Sequence, residues 1–420
     1  MIPCTSSVPA RIKTRFALAT AATVAVTSGL AIGTQVSDAT THPPSTTPRA
    51  TVQHDADALL KFGAPGVLVG LDGEDGHVKV RSGVGNRTTK TPVPWDAKFR
   101  IGSFTKTFVA ATLLQLVGEG KLSLDDTVDR WLPGLVAGNG NDGTKITVRQ
   151  LLQHTSGLPD YTHFMPWLGD KAKFLEERNT TLTPREAMAL AMASAPLFQP
   201  GTSWSYSNTN YLLAGMIIGE VTGNSWRDEV TTRIIKPLNL DNTSIPGTKT
   251  ALPTPHAIGY QRFPGEGATA EDPKFGDEID ATTMNPSWAN AAGEMISTVD
   301  DTNRFLRALL GGRVLKRAQL AQMLTTVDTN DLFRKILPGV RYGLGIMYVP
   351  NSCGGMWTHG GDIHGFKTRN GVTPDGSRSI VVSINTDSTK PDPGIELPVT
   401  DFGFDLINHA LCGPDAGSIR

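Results

Sequence analysis

The chain is 420 residues long, carries 39 basic and 40 acidic side chains for a formal net charge of −1, and is 39% hydrophobic. That length suits a large one-domain or two-lobed enzyme, and the hydrophobic share supplies a core and excludes a disordered chain. Near-neutral charge without a long Lys/Arg run excludes the basic face of a nucleic-acid binder.

Arg11, Lys13 and Arg15 precede an uncharged stretch of small and apolar residues over 16–32, and Ser37-Asp38-Ala39 places small residues at the −3 and −1 positions of a cleavage site. This order reads as a signal peptide over 1–39 and a secreted product. A retained membrane anchor is the alternative, weakened by the shortness and Ala/Thr/Gly content of the stretch. No second apolar run is long enough to cross a membrane. Of the three cysteines, Cys4 leaves with the signal. The remaining pair, Cys353 and Cys412, is expected to form a disulfide in an oxidising compartment, the alternative being two buried thiols.

Residues 40–50 are Thr/Pro/Ser-rich and read as a flexible tether, with the folded domain over 51–420. A helical pattern covers 51–62. Strands are expected at 67–71 and 77–81, joined by the turn signal Asp72-Gly73-Glu74-Asp75-Gly76. A long apolar helix follows Ser103 and stops at Gly118 and Gly120. From about 122 to 288 the pattern is helical with Pro/Gly loops. A further helix starts at the cap Ser297-Thr298-Val299-Asp300 and stops at Gly311-Gly312. Strands are expected at 342–349, 367–372 and 379–384, and a closing helix at 398–411. Strands at both ends and helices between them point to an α+β fold. One antiparallel sheet would draw on both chain ends, flanked by helices, with an all-helical lobe inserted.

Three short motifs carry chemistry. Ser103-Phe104-Thr105-Lys106 is an S-x-x-K whose Ser103 and Lys106 share a helix face. A desolvated lysine can take a serine's proton, and a helix N-terminus favours an oxyanion. Taken singly, it also reads as a capping serine with a solvated lysine. Tyr206-Ser207-Asn208 offers a hydroxyl that relays protons if neighbouring cations lower its pKa from about 10, and an amide to position a substrate. Taken singly, it reads as a helix cap. His359-Gly360-Gly361 follows Met356-Trp357, and its glycines let a strand edge approach a peptide-like ligand. A glycine turn, or a metal site using His359 and His364, is the alternative. Without H-E-x-x-H or a Cys/His quartet, zinc is not expected.

Together, in this order, the motifs resemble the S-x-x-K, Y-x-N and K/H-x-G triplet of penicillin-recognising serine hydrolases, the D-alanyl-D-alanine peptidases and class C β-lactamases. Phe99-Arg100-Ile101-Gly102-Ser103, the segment His154-Thr155-Ser156-Gly157-Leu158, Pro200-Gly201 and Tyr342-Gly343-Leu344-Gly345 extend the resemblance, which is strongest to secreted actinomycete D-alanyl-D-alanine carboxypeptidases, including their cysteine pair. The resemblance implies an acyl-enzyme at Ser103, with Lys106 and Tyr206 sharing the general-base and proton-return work. It implies that Asn208 holds the acyl side-chain amide. His359 would lend a positive or hydrogen-bonding group near Tyr206. The backbone N–H groups of Ser103 and Asp362 would form the oxyanion hole beside Gly360 and Gly361. His154 and Ser156 fall in a structural segment, and Trp288 either lines the cleft or belongs to the core. No cofactor or metal is implied. The implied partners are peptides or other small acyl compounds, including peptidoglycan stem peptides and β-lactams.

Two departures weaken the carboxypeptidase match. Gly360 and Asp362 stand where those peptidases carry hydroxyl groups that bind a terminal carboxylate, and Ile346-Met347-Tyr348 lacks their arginine. Asp362 would repel such a carboxylate unless Lys367 or Arg369 compensates. Esters, D-amino-acid amides, endo-peptides and β-lactams are then alternative substrates. A non-hydrolytic penicillin-binding sensor and a surface protein with a dead site are alternatives of another class. No G-x-S-x-G elbow is present, which disfavours an α/β-hydrolase.

Overall fold

The computed structural model describes residues 48–417 apart from 75, 270–273 and 393–399. The signal-peptide reading of 1–39 lies outside the described residues. Helix α1 spans Pro48–Lys61. It begins three residues inside the stretch expected to be a tether, because a proline is well tolerated in the first turn of a helix. Its buried Val52, Ala56 and Leu59 recur at helical spacing and lie against the sheet.

The sheet strands are β1 Gly66–Gly73, β2 Gly76–Gly83, β3 Val327–Asp328, β4 Arg341–Tyr342, β5 Met347–Val349, β6 Met356–Thr358, β7 Gly361–Ile363, β8 Phe366–Val372 and β9 Ser379–Ile384. They form one nine-stranded sheet in the order β2-β1-β9-β8-β6-β5-β4-β3, with β7 pairing β8. The junction of the two chain ends is the antiparallel pair β1–β9, in register through Val69 opposite Val382. Alternation along β1 sends Val67, Val69 and Leu71 to the α1 side and Leu68 to the other.

On that other side, α2 (Thr105–Gly118) is buried around nearly its whole circumference, from Phe108 through Leu116. Such a helix belongs at the centre of a core, where each large apolar side chain contributes roughly 1.5–3 kcal/mol. Helices α3 (Asn208–Thr222) and α4 (Val299–Leu310) join the same core, and Phe108 stacks on Phe305 of α4 with ring centroids 3.7 Å apart. Thr298 caps α4 by accepting from the Asp301 N–H, as its sequence signal indicates. The closing helix α5 spans Gly403–Cys412. It starts later than expected because the Asp401 side chain accepts the Gly403 N–H and holds the turn. The Cys353–Cys412 disulfide ties the end of α5 to the loop between β5 and β6, with Cα atoms 5.4 Å apart.

The expected single strand over 342–349 is two strands, β4 and β5, folded on each other. Gly345 adopts a φ of +73°, the Gly343 N–H reaches the Ile346 carbonyl at 2.8 Å, and a Cβ at Gly345 would stand 2.5 Å from that of Ala110. The turn is thus pressed onto α2, which only glycine permits. The stretch over 122–288 holds short helices joined by long loops, and it is not all-helical, for it also carries the two-residue strand pairs Ala137–Gly138 with Asn141–Asp142 and Tyr260–Gln261 with Ile279–Asp280. Among the described residues, no helix is long and apolar enough to cross a membrane.

Candidate active site

Ser103 sits in a short 3-10 turn, Gly102–Phe104, that runs directly into α2. The turn keeps the i, i+3 relationship, so Lys106 folds back beneath Ser103. Lys106 Nζ lies 3.0 Å from Ser103 Oγ, 2.8 Å from Asn208 Oδ1 and 2.7 Å from the Ala292 carbonyl. In an ammonium ion all three contacts are donations. In a neutral amine the two N–H groups satisfy Asn208 and Ala292, and the lone pair is left facing the Ser103 hydroxyl. Burial pushes Lys106 down to about 7, against an opposing pull from Asp160. The amine form is therefore accessible near neutrality.

Asn208 is the first residue of α3, on which Lys106 and Asp160 converge. Asp160 Oδ2 accepts both its backbone N–H, at 3.0 Å, and its side-chain Nδ2, at 2.9 Å. These partners fix the amide orientation. Ser207 makes no side-chain cap on α3 and instead donates to the Pro159 carbonyl, so Tyr206-Ser207-Asn208 is not an ordinary helix cap. Tyr206 lies with its ring 4.9 Å from Lys106 Nζ. Burial raises its pKa, with Asp160 and Asp362 pushing the same way and a hydrogen bond to Ser103 pulling against them. The condition named for a proton relay, a pKa lowered by neighbouring cations, is therefore not met, and Tyr206 is held as a phenol.

His359 follows β6 and is buried, its ring centroid 6.3 Å from that of Tyr206. Its Nδ1 faces the Gly360 carbonyl at 2.8 Å and its Nε2 faces the Tyr342 hydroxyl at 2.9 Å. The carbonyl can only accept, so Nδ1 carries the proton and Nε2 accepts from Tyr342. Burial first, then the Lys106 charge, lowers His359 to about 3. Of the positive or hydrogen-bonding group expected near Tyr206, the structure has a neutral ring whose nitrogens are both hydrogen-bonded, to Gly360 and Tyr342. His364, offered in the alternative metal reading, donates from Nε2 to the Leu168 carbonyl at 2.8 Å, remote from the partners of His359. Among the described residues, no three His, Cys, Asp or Glu side chains are arranged to hold a metal ion.

Gly361 opens β7, and its Cα faces the Ser103 turn so closely that a Cβ would stand 1.9 Å from the Ile101 carbonyl and 2.9 Å from the Ser103 nitrogen. The absent side chain is what lets the Asp362 backbone lie beside that of Ser103. The Asp362 carboxylate is half exposed and meets Arg369 Nη2 at 3.0 Å and Lys367 Nζ at 4.0 Å. Arg369 is shared, for its Nη2 also lies 2.6 Å from Asp401.

Two cavities flank Ser103. One, of about 180 Å³, is walled by Asn208, Tyr161, Leu168, Trp288 and Ile363. Trp288 thus lines the cleft. The other, of about 490 Å³, is walled by Tyr206, Phe333, Leu337, His359, Gly360 and Lys367. Ser103, Asp362 and Asp387 border both. His154 accepts the Ser207 N–H and Ser156 bonds Asn210, so both brace the Tyr206 loop, in keeping with a structural segment.

Sequence reading missed Asp160, Asp387 and the Ala292 carbonyl, and noted Tyr342 in the Tyr342-Gly343-Leu344-Gly345 segment without giving it a role at the site. Asp160 lies two residues beyond the recognised His154–Leu158 segment, and its Ser-Gly-Leu-Pro-Asp context reads only as a turn. Asp387 and Ala292 come from distant elements and carry no local signal.

A family model described as Beta-lactamase matches residues 49–400. Penicillin-binding protein 4* of Bacillus subtilis (strain 168) is 27% identical over 310 residues, 72% of this chain and 64% of that protein. The putative penicillin-binding protein PbpX of the same organism is 26% identical over 287 residues, 68% of this chain and 62% of that protein. The chain thus spans somewhat less than two thirds of these relatives. Among solved structures, a D-stereospecific amidohydrolase from Streptomyces sp. aligns with a TM-score of 0.77 and 41% identity, covering 87% of this chain and 99% of that one. The D-amino acid amidase of Ochrobactrum anthropi SV3 complexed with L-phenylalanine amide aligns with a TM-score of 0.72 and 28% identity, covering 87% of this chain and 98% of that one. With its Ser103–Lys106 pair at the head of a central helix and its match over 49–400, this chain belongs to the β-lactamase family of serine hydrolase folds.

Proposed function

We propose that the chain is a serine hydrolase that forms an acyl-enzyme at Ser103 and cleaves amides and peptides of D-amino acids. The observation that carries the chemistry is the Lys106 amine, 3.0 Å from Ser103 Oγ with both of its N–H groups already engaged. Lys106 takes the hydroxyl proton as Oγ bonds the substrate carbonyl carbon. The backbone N–H groups of Ser103 and Asp362 receive the oxyanion. Tyr206, a phenol, donates to the leaving nitrogen and is reprotonated from Lys106 as the C–N bond breaks. Water then attacks the carbonyl carbon of the Ser103 ester as Lys106 takes its proton, and that proton passes to Oγ as the C–Oγ bond breaks and the free acid departs.

The choice of amides over carboxylate-terminated peptides rests on the charge arrangement. Gly360 offers no hydroxyl, Asp362 is anionic, and Arg369 is spent between Asp362 and Asp401. A terminal carboxylate therefore finds few free donors. The amidohydrolase and D-amino acid amidase likenesses support the same choice. The second reading is a D-alanyl-D-alanine carboxypeptidase acting on peptidoglycan stem peptides. It is favoured by Lys367, a cation on the wall of the larger cavity. Comparing kcat/KM for an acetylated D-Ala-D-Ala dipeptide and its C-terminal amide separates the two. Preference for the amide supports the proposal, and clear preference for the free carboxylate overturns it. Secretion after removal of residues 1–39 belongs to the same proposal and is supported by the Cys353–Cys412 disulfide.

A further inference from the structure

Asp387 lies three residues beyond the end of β9, in a loop fixed on both sides. The Asn385 side chain donates to the Ile258 carbonyl at 2.9 Å, and Ser388 Oγ accepts the Arg262 N–H at 2.6 Å. Its side chain borders both cavities at Ser103, yet among the described residues it makes no hydrogen bond and no ion pair. Arg369 is occupied by Asp362 and Asp401, and Lys367 lies 4.0 Å from Asp362 and over the Phe402 ring. Asp387 is partly accessible from the cavities, and Lys367 and Arg369 act on it through space without pairing with it. A cation that arrives with the substrate can pair with it directly.

We propose that Asp387 anchors the α-ammonium group of the substrate's acyl residue, making this a hydrolase of D-amino-acid amides and peptides with a free amino terminus. The inference rests on the acyl-enzyme reading above. An α-ammonium stands two bonds from the carbonyl carbon that Ser103 attacks, so a group bordering the same cavities as Ser103 is within its reach. The Trp288 and Tyr161 side of the smaller cavity then receives the side chain, and the leaving group departs past Tyr206. Burial, reinforced by Asp362 and opposed by Lys367 and Arg369, raises Asp387 to about 6. The anchor is therefore charged at neutral pH and lost in mild acid.

The test compares D-phenylalanine p-nitroanilide with its N-acetyl derivative on wild type, Asp387→Asn and Ser103→Ala. Wild type should favour the free amine, and Asp387→Asn should reduce that preference by roughly 10- to 100-fold, as for loss of a charge-assisted hydrogen bond. Independently of any variant, the wild-type KM for the free amine should rise as pH falls through about 6 while that for the N-acetyl substrate does not. Equal wild-type use of both anilides, or a preference unchanged in Asp387→Asn, overturns this inference alone. Hydrolysis of neither anilide by wild type overturns the functional reading and this inference with it.

Discussion

Lys106 and Ser103 are joined by a 3.0 Å contact in which the lysine's other two contacts, to Asn208 Oδ1 and the Ala292 carbonyl, are both to acceptors. A neutral amine fits this set with its lone pair on the serine, which supports the proposal that Lys106 is the base. Lys106→Met should therefore lower kcat on an amide by about 10²- to 10⁴-fold, the usual share of a positioned base. Steady-state kinetics on D-phenylalanine p-nitroanilide measures it, and near-wild-type turnover would remove Lys106 from the mechanism.

The same residue sets a pH dependence. Its folded pKa, about 7, lies below the ordinary 10.5, so activity rises with pH through about 7 as the amine forms. Between these values the unfolded chain holds a proton that the folded chain has lost, so stability rises with pH across that window. The penalty of the buried ammonium is fully present below about 7. Lys106→Met removes it, and its melting temperature should exceed that of wild type by more at pH 6 than at pH 9. A gap that does not change with pH contradicts this.

Tyr206 is held as a phenol by burial. Tyr206→Phe should therefore impair amides, whose leaving nitrogen needs a proton, far more than esters with a good leaving group. The expected change in the ester-to-amide kcat ratio is about 10²-fold. Equal losses on both substrate types would assign Tyr206 to positioning instead.

Much of this site was legible in the sequence because its motifs sit where the chain must do something local. Ser103 and Lys106 open a helix, Asn208 opens another, and Gly361 opens a strand. Both chain ends of the sheet were also legible, since β1 and β9 are short apolar runs bounded by turn residues. The rest depends on tertiary placement. The neutrality of His359 follows from its burial, its Nε2 contact comes from Tyr342, 17 residues away, and the orientation of Asn208 comes from Asp160, 48 residues away. The division of 342–349 into two strands follows from contact with Ala110, which no local pattern reveals.

Gly361→Ala should push β7 away from the Ser103 turn, because its Cβ would overlap the Ile101 carbonyl. Displacing one oxyanion donor costs about 10²- to 10³-fold in kcat. Kinetics together with circular dichroism checks this, and full activity would show that the Asp362 N–H is not an oxyanion donor.

The Cys353–Cys412 bond spans 59 residues. On the chain-entropy view such a loop contributes roughly 4 kcal/mol. The Cys353→Ser/Cys412→Ser double variant should therefore melt several degrees lower, by about 2–4 °C per kcal/mol for a domain of this size or less. Scanning calorimetry reads the shift, and an unchanged melting temperature would contradict it.

The most direct test of the account is the intact mass of the protein, acid-quenched during steady-state turnover of D-phenylalanine methyl ester, for wild type and Ser103→Ala. The account predicts a wild-type population heavier by one D-phenylalanyl group, located on the Ser103 peptide after digestion and absent from the variant. An adduct on another residue, or one that persists in Ser103→Ala, would contradict it.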